Sequence, residues 1–190
     1  AEAARCLDCD DLCSLCVTVC PNRANLAYAT PAMELLVPVL VQRGGALQVE
    51  TSRPFRIAQA VQILNLGDAC NDCGNCTPFC PTSGAPYKDK PRLWDDREAF
   101  EETALDGFRL DREGDALVLE AKLGGRRLRL TRSPRGATLR TPELQAELDP
   151  DSFALRSAVA LQPLAEGTRV DLQPLGTLAA LLHAEAVLPG

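Results

Sequence analysis

The alternation of apolar and polar positions is clearest between residues 117 and 130. Leu117, Leu119, Ala121 and Leu123 recur at every second position, with polar Glu120 and Lys122 between the last three, Gly124-Gly125 supplies positive φ for a two-residue turn, and Leu128 and Leu130 continue the same face. This predicts a β-hairpin pairing Leu119 with Leu130, Ala121 with Leu128 and Glu120 with Arg129. A slip of one residue would turn the leucines to solvent. Upstream, the apolar runs Met33 to Val41, Leu47 to Val49 and Ile57 to Leu66 are broken by turn signals such as Gly44-Gly45, and they read as short strands. The last of them delivers the chain to Asp68 and Cys70. Residues 95–104 read as a short acidic helix, and Thr141-Pro142-Glu143 is a helix-start signal. Leu178, Leu181 and Leu182 predict an amphipathic C-terminal helix from about Thr177 to Val187.

Composition narrows the class. The chain has 190 residues, 46% of them hydrophobic, enough for one full-sized domain or two small ones and too apolar for a disordered chain. A net charge of -6 argues against a general nucleic-acid binder, whose affinity comes from basic side chains on phosphates. No apolar run approaches a membrane-spanning length of about 20 residues, and residues 1–15 lack the pattern of a secretory signal. With its many thiols the chain is expected to be soluble and cytoplasmic. It begins at Ala1 and holds only Met33, as a piece of a longer polypeptide would.

The nine cysteines change the picture most. All lie in the first 80 residues: Cys6, Cys9, Cys13, Cys16, Cys20, Cys70, Cys73, Cys76 and Cys80. An odd count in two tight groups does not suit a disulfide framework. Cys13, Cys16 and Cys20 recur 60 residues later as Cys73, Cys76 and Cys80, and each group ends in proline, Pro21 and Pro81. The second group is C-x2-C-x2-C-x3-C-P, the bacterial ferredoxin run, in which three thiolates wrap one [4Fe–4S] cube and the fourth cysteine ligates another. The expectation is therefore two [4Fe–4S] clusters. Cys9, Cys13, Cys16 and Cys80 would hold one, and Cys70, Cys73, Cys76 and Cys20 the other. Eight ligands leave one thiol over, Cys6 by the repeat arithmetic, with Cys9 as the alternative. Gly74 would let the backbone approach the cluster, and Asp8, Asp10, Asp11 and Asp72 would favour a low potential. Paired zinc sites are the competing reading, but zinc knuckles need neither this spacing nor the trailing proline.

These segments also carry a resemblance. Ala3-Ala4-Arg5-Cys6-Leu7-Asp8-Cys9 resembles the E-A-x-R-C-L-x-C stretch of glutamate-synthase small-subunit-like flavoproteins. Cys13 to Asn25 and Cys70 to Lys90, with Pro86-Tyr87-Lys88-Asp89-Lys90, resemble the C-terminal ferredoxin part of the selenate reductase iron–sulfur subunit family. The resemblance covers about the first half of the chain. It implies a segment that follows a module binding FAD and NAD(P), works with a flavoprotein domain or subunit, and has molybdenum-hydroxylase-type and purine-catabolic redox partners. No G-x-G-x-x-G stretch occurs here, so the flavin and nicotinamide sites would lie elsewhere.

Together these readings predict an α+β chain: a two-[4Fe–4S] ferredoxin-like domain over residues 1–91 with a hairpin insertion, then a small hairpin-plus-helix extension or docking domain over 92–190. The expected function is single-electron relay between a flavin and a terminal redox partner. The alternative is an assembly module whose clusters are structural. No acid, base or nucleophile set for bond-making catalysis is recognised. Arg126, Arg127, Arg129, Arg132 and Arg135 read as a solvated sheet face beside Glu120. Trp94 and Phe100 read as core, and His183 as a helix residue without a partner motif.

Overall fold

A computed structural model describes residues 13–187. Its strands are β1 (Asn25–Ala29), β2 (Met33–Arg43), β3 (Ala46–Ile57), β4 (Val61–Leu66), β5 (Arg92–Leu93), β6 (Gly107–Glu113), β7 (Ala116–Leu123), β8 (Arg126–Ser133), β9 (Gly136–Arg140), β10 (Leu144–Leu148), β11 (Leu155–Ala160) and β12 (Arg169–Asp171). Four short α-helices accompany them: α1 (Leu15–Thr18), α2 (Pro86–Asp89), α3 (Arg97–Glu102) and α4 (Pro174–Leu181). The hydrogen-bonded order is β1-β4-β5-β6-β7-β8-β9-β10-β11 in one sheet and β12-β2-β3 in another. The β4–β5 and β5–β6 pairs are parallel, whereas β1–β4 and the pairs from β7 to β11 are antiparallel, so the larger sheet is mixed.

This corrects the expected fold class. In place of a two-cluster ferredoxin-like domain with a small extension, the chain builds a nine-stranded and a three-stranded sheet with few helices. The reason lies in the apolar alternation, which recurs well beyond the hairpins that Gly44-Gly45 and Gly124-Gly125 announce. The chain divides into two compact units. Within the described residues, one draws on 13–33, 57–110 and 183–187 and the other on 34–56 and 111–182.

In the first unit, β1 and β4 pair in a register that sets Asn25 opposite Asn65 and Leu26 opposite Leu64. Ile63, Leu64, Leu93, Phe100 and Phe108 are buried. The Trp94 indole lies between two glycines. A Cβ at Gly67 would come within 2.5 Å of the ring, and one at Gly107 within 2.6 Å. Trp94 and Phe100 are thus packing residues, as expected. The acidic helix also forms, as α3, with the Asp96 side chain accepting the Ala99 N–H at its start.

In the second unit, β7 and β8 pair in the expected register, Leu119 with Leu130, Glu120 with Arg129 and Ala121 with Leu128. Gly124 and Gly125 take φ of 57° and 75°, the left-handed values a type I′ turn needs. The basic side chains of β8 are paired, Arg126 with Glu143 and Arg129 with Glu113 and Glu120, which fits the solvated sheet face. One helix expectation fails here, and another is met with different bounds and character. Thr141-Pro142-Glu143 opens β10: the Thr141 hydroxyl oxygen accepts the N–H groups of Glu143 and Leu144, and Leu144, Ala146 and Leu148 are buried alternately. Threonine chemistry that caps a helix also closes a turn, and the period of two decides between them. The C-terminal helix is α4, which begins at Pro174 and gives way at Leu182 to a 3-10 segment, Leu182–Val187. Its residues Leu175, Gly176, Leu178, Ala179, Ala180 and Leu181 are all buried, so it is a core helix with no amphipathic stripe.

Candidate functional site

The two cysteine groups enter the first unit on short, tight elements. Cys16 lies on α1, whose N-terminal neighbour Ser14 accepts the Val17 and Thr18 amides. Cys76 caps the 3-10 turn Thr77–Phe79. Both thiols are buried and share an apolar cluster with Ile63, against which Val17, Val19 and Tyr87 pack. The bends between cysteines use left-handed backbone at Arg23, Asp72 and Gly74, with φ of 53°, 54° and 73°. Such a conformation is unstrained for glycine and uncommon for the other two.

Four cysteines from the two groups, Cys20, Cys70, Cys73 and Cys76, line one recess together with Asn25, Asn65, Gly74 and Tyr87. The recess is narrow, about 10 Å³, which is room for a single water-sized molecule. Its floor is polar. The Asn25 side-chain amide donates to the Cys16 carbonyl at 2.9 Å, and the Asn65 amide donates to the Asn25 side-chain oxygen at 3.0 Å. Asn65 is fully buried, and its own side-chain oxygen has no protein donor.

Arg92 governs the Cys70 side of the recess. It is 8% exposed, and its Nη2 donates to Asp72 Oδ1 at 2.5 Å and to the Tyr87 carbonyl at 2.7 Å, and lies 3.8 Å from Cys70 Sγ. The hydrogen bond from Arg92 holds the Asp72 carboxyl below its ordinary range despite some desolvation. Cys70 Sγ also lies 3.5 Å from Asp72 Oδ1. Cys20 Sγ accepts the Ala24 N–H at 3.2 Å. At Cys80, burial would raise the thiol pKa. The Thr82 hydroxyl at 3.3 Å, the backbone amides of Thr82 and Gly84, and the Lys90 charge outweigh it and lower the value.

These contacts correct the cofactor expectation. Among the described residues, no group of three or more cysteine, histidine, aspartate or glutamate side chains is placed to hold a metal ion. The expected set Cys70, Cys73, Cys76 and Cys20 does meet at one recess, but its sulfurs are engaged separately: Cys20 by its own loop, Cys70 by Asp72 and Arg92, Cys76 in the apolar cluster. A [4Fe–4S] cube needs four thiolates aimed at one body, and this arrangement does not fit it. The other expected set, Cys13, Cys16 and Cys80 with Cys9, forms no such group among its described members. Cys6 and Cys9 lie outside the described residues, and so does the choice between them. Neither the expected iron–sulfur relay nor the structural-cluster alternative is supported, and the resemblance to the selenate reductase iron–sulfur subunit family loses the ligand geometry it implied. None of the seven described cysteines is disulfide-bonded.

Arg92, Asn25 and Asn65 carry no motif and were not among the expected site residues. The signal that marks the asparagines is local: Asn65 interrupts the apolar run Ile63-Leu64 and Leu66 of a buried strand, where a polar side chain requires a partner.

The chain is 38% identical over 107 residues to Putative oxidoreductase YgfK of Escherichia coli strain K12, and equally to the protein of that name in strain O157:H7. The match takes in 56% of this chain but only 8% of the length of those curated relatives. No family model matches the chain, and no solved structure matches it.

Proposed function

We propose that this chain is the cysteine-bearing segment of an oxidoreductase and presents its thiol-lined recess to a flavoprotein domain or subunit. The observation that carries the reading is the recess: four cysteines, drawn from groups about fifty residues apart, open on one narrow space that the buried Asn25 and Asn65 also line. Thiolate sulfur is the strongest nucleophile and the most readily oxidised side-chain atom in proteins, so a site of this composition suits redox work better than acid–base work. The similarity to a protein named as an oxidoreductase supports the same class. A reducing, cytoplasmic compartment suits a chain with nine cysteines, and no helix among the described residues is long and apolar enough to cross a membrane.

In this reading Cys70 and Cys73 are the working thiols, since Cys73 is exposed at the mouth and Cys70 stands beside the Arg92 guanidinium. Arg92 is a positioning residue: it fixes the Asp72 bend and places a positive charge near Cys70. The test is steady-state reduction of an acceptor dye by NAD(P)H in the assembled enzyme, with wild type set against Cys70→Ser and Cys73→Ser. Loss of most of the activity with an unchanged melting temperature supports the reading. Full activity in both variants overturns it.

A further inference from the structure

β11 ends the larger strand order, so among the described residues one of its edges has no neighbour within the sheet. Which residues face that open edge follows from the hydrogen-bond phase. The β10–β11 register pairs Gln145 with Val159 and Ala146 with Ala158, and the Leu161 N–H donates to the Glu143 carbonyl at 2.8 Å. In an antiparallel ladder the hydrogen-bonded pairs alternate, so Val159 and Leu161 turn their backbone groups toward β10, and Ala158 and Ala160 turn theirs outward.

This edge lacks the usual protection. Exposed edges are commonly blunted by charges, proline or a bulge. The open strand β3 carries Glu50, Arg53, Pro54 and Arg56. β11 carries only Arg156, whose guanidinium is drawn back to Asp149 at 2.7 Å. Its outer face instead shows Val159 and Leu161, 58% and 42% exposed. The bulge against Leu148 lies at its start, and Pro163 lies beyond its end.

We infer that β11 pairs with β11 of a second copy of this chain, antiparallel about a two-fold axis at Val159. Three registers pair outward-facing residues with each other. Centring on Ala158 sets Val159 against Ser157 and draws the bulged Arg156 into the ladder. Centring on Ala160 requires Gln162, which lies in a bend. Centring on Val159 joins Ala158 to Ala160 of the second copy, and the reverse, while Val159 meets its own counterpart in a close, non-hydrogen-bonded pair. The two Arg156 side chains then stand at opposite ends, so no like charges face each other. A self-complementary edge with no opposed charge fits a second copy better than a charged peptide. The pairing is small, below the ~1,200 Å² at which stable interfaces begin, so the dimer is a weak one.

Sedimentation equilibrium of the whole chain at rising concentration tests this, with amide exchange read in parallel. The expected result is a monomer–dimer equilibrium, concentration-dependent protection of the Ala158 and Ala160 amides, and a dissociation constant raised about tenfold by Val159→Lys, which sets two ammonium groups face to face. Ala158→Pro removes an outward N–H without touching the β10 ladder and weakens the dimer as well. Persistent monomer at all concentrations, or a dimer indifferent to both substitutions in variants that melt like wild type, overturns the inference. Neither result bears on the cysteine recess.

Discussion

Arg92 concentrates more structural work than any other single side chain near the recess. One nitrogen serves the Asp72 carboxylate and the Tyr87 carbonyl and approaches Cys70, all from a nearly buried position. Replacing it with methionine keeps the volume but strands the Tyr87 carbonyl and leaves Asp72 without its cation. The expected cost is about 2 kcal/mol in urea unfolding, the scale of a lost charge-assisted hydrogen bond. Lysine restores charge without the planar fork and recovers only part of it. Asp149 is a second such residue, at the turn before β11. It accepts the Ser152 N–H, then the Arg156 guanidinium, the Asp151 N–H and the Ser152 hydroxyl, and these hold its carboxyl well below the ordinary 3.8. Because the folded pKa is the lower one, the stabilisation is complete above the unfolded value near 4 and fades as pH falls through and below it. Denaturant midpoints taken from pH 6 down to pH 2 should fall, and Asp149→Asn should flatten that decline.

At the scale of elements, backbone requirements decide. Gly67 and Gly107 are glycines because the Trp94 ring lies where their side chains would be. Gly67→Ala is expected to cost about 2 kcal/mol by overpacking, visible as a lower melting temperature and altered Trp94 fluorescence. The β7–β8 hairpin was legible residue by residue, because Gly-Gly fixes the turn and alternation fixes the face. The β10 strand was not, because Thr-Pro-Glu satisfies the rules for a helix start and only the burial of Leu144, Ala146 and Leu148 reveals the shorter period. Likewise α4 looked amphipathic because alanine and glycine are neutral in a periodicity count. In the fold Gly176 meets the Phe55 ring, and Ala179 and Ala180 are as buried as the leucines.

For the whole molecule, the cysteine spacing implied two clusters that the described residues do not support. Cys20, Cys70, Cys73 and Cys76 do line one recess. Where each sulfur points depends on groups that no spacing rule contains: the Ala24 amide, the Asp72–Arg92 pair and the apolar cluster around Ile63. The extent of the β-structure was likewise hidden, since strands β5 and β9 are too short or too mixed in composition to announce themselves. The proposed function places this chain's work within an oxidoreductase at the recess. Its most direct test is NAD(P)H-driven dye reduction by the assembled enzyme carrying Cys73→Ser, the exposed recess thiol whose loss disturbs packing least. A functional recess predicts that turnover collapses while the melting temperature holds. Wild-type turnover in that variant and in Cys70→Ser would contradict it.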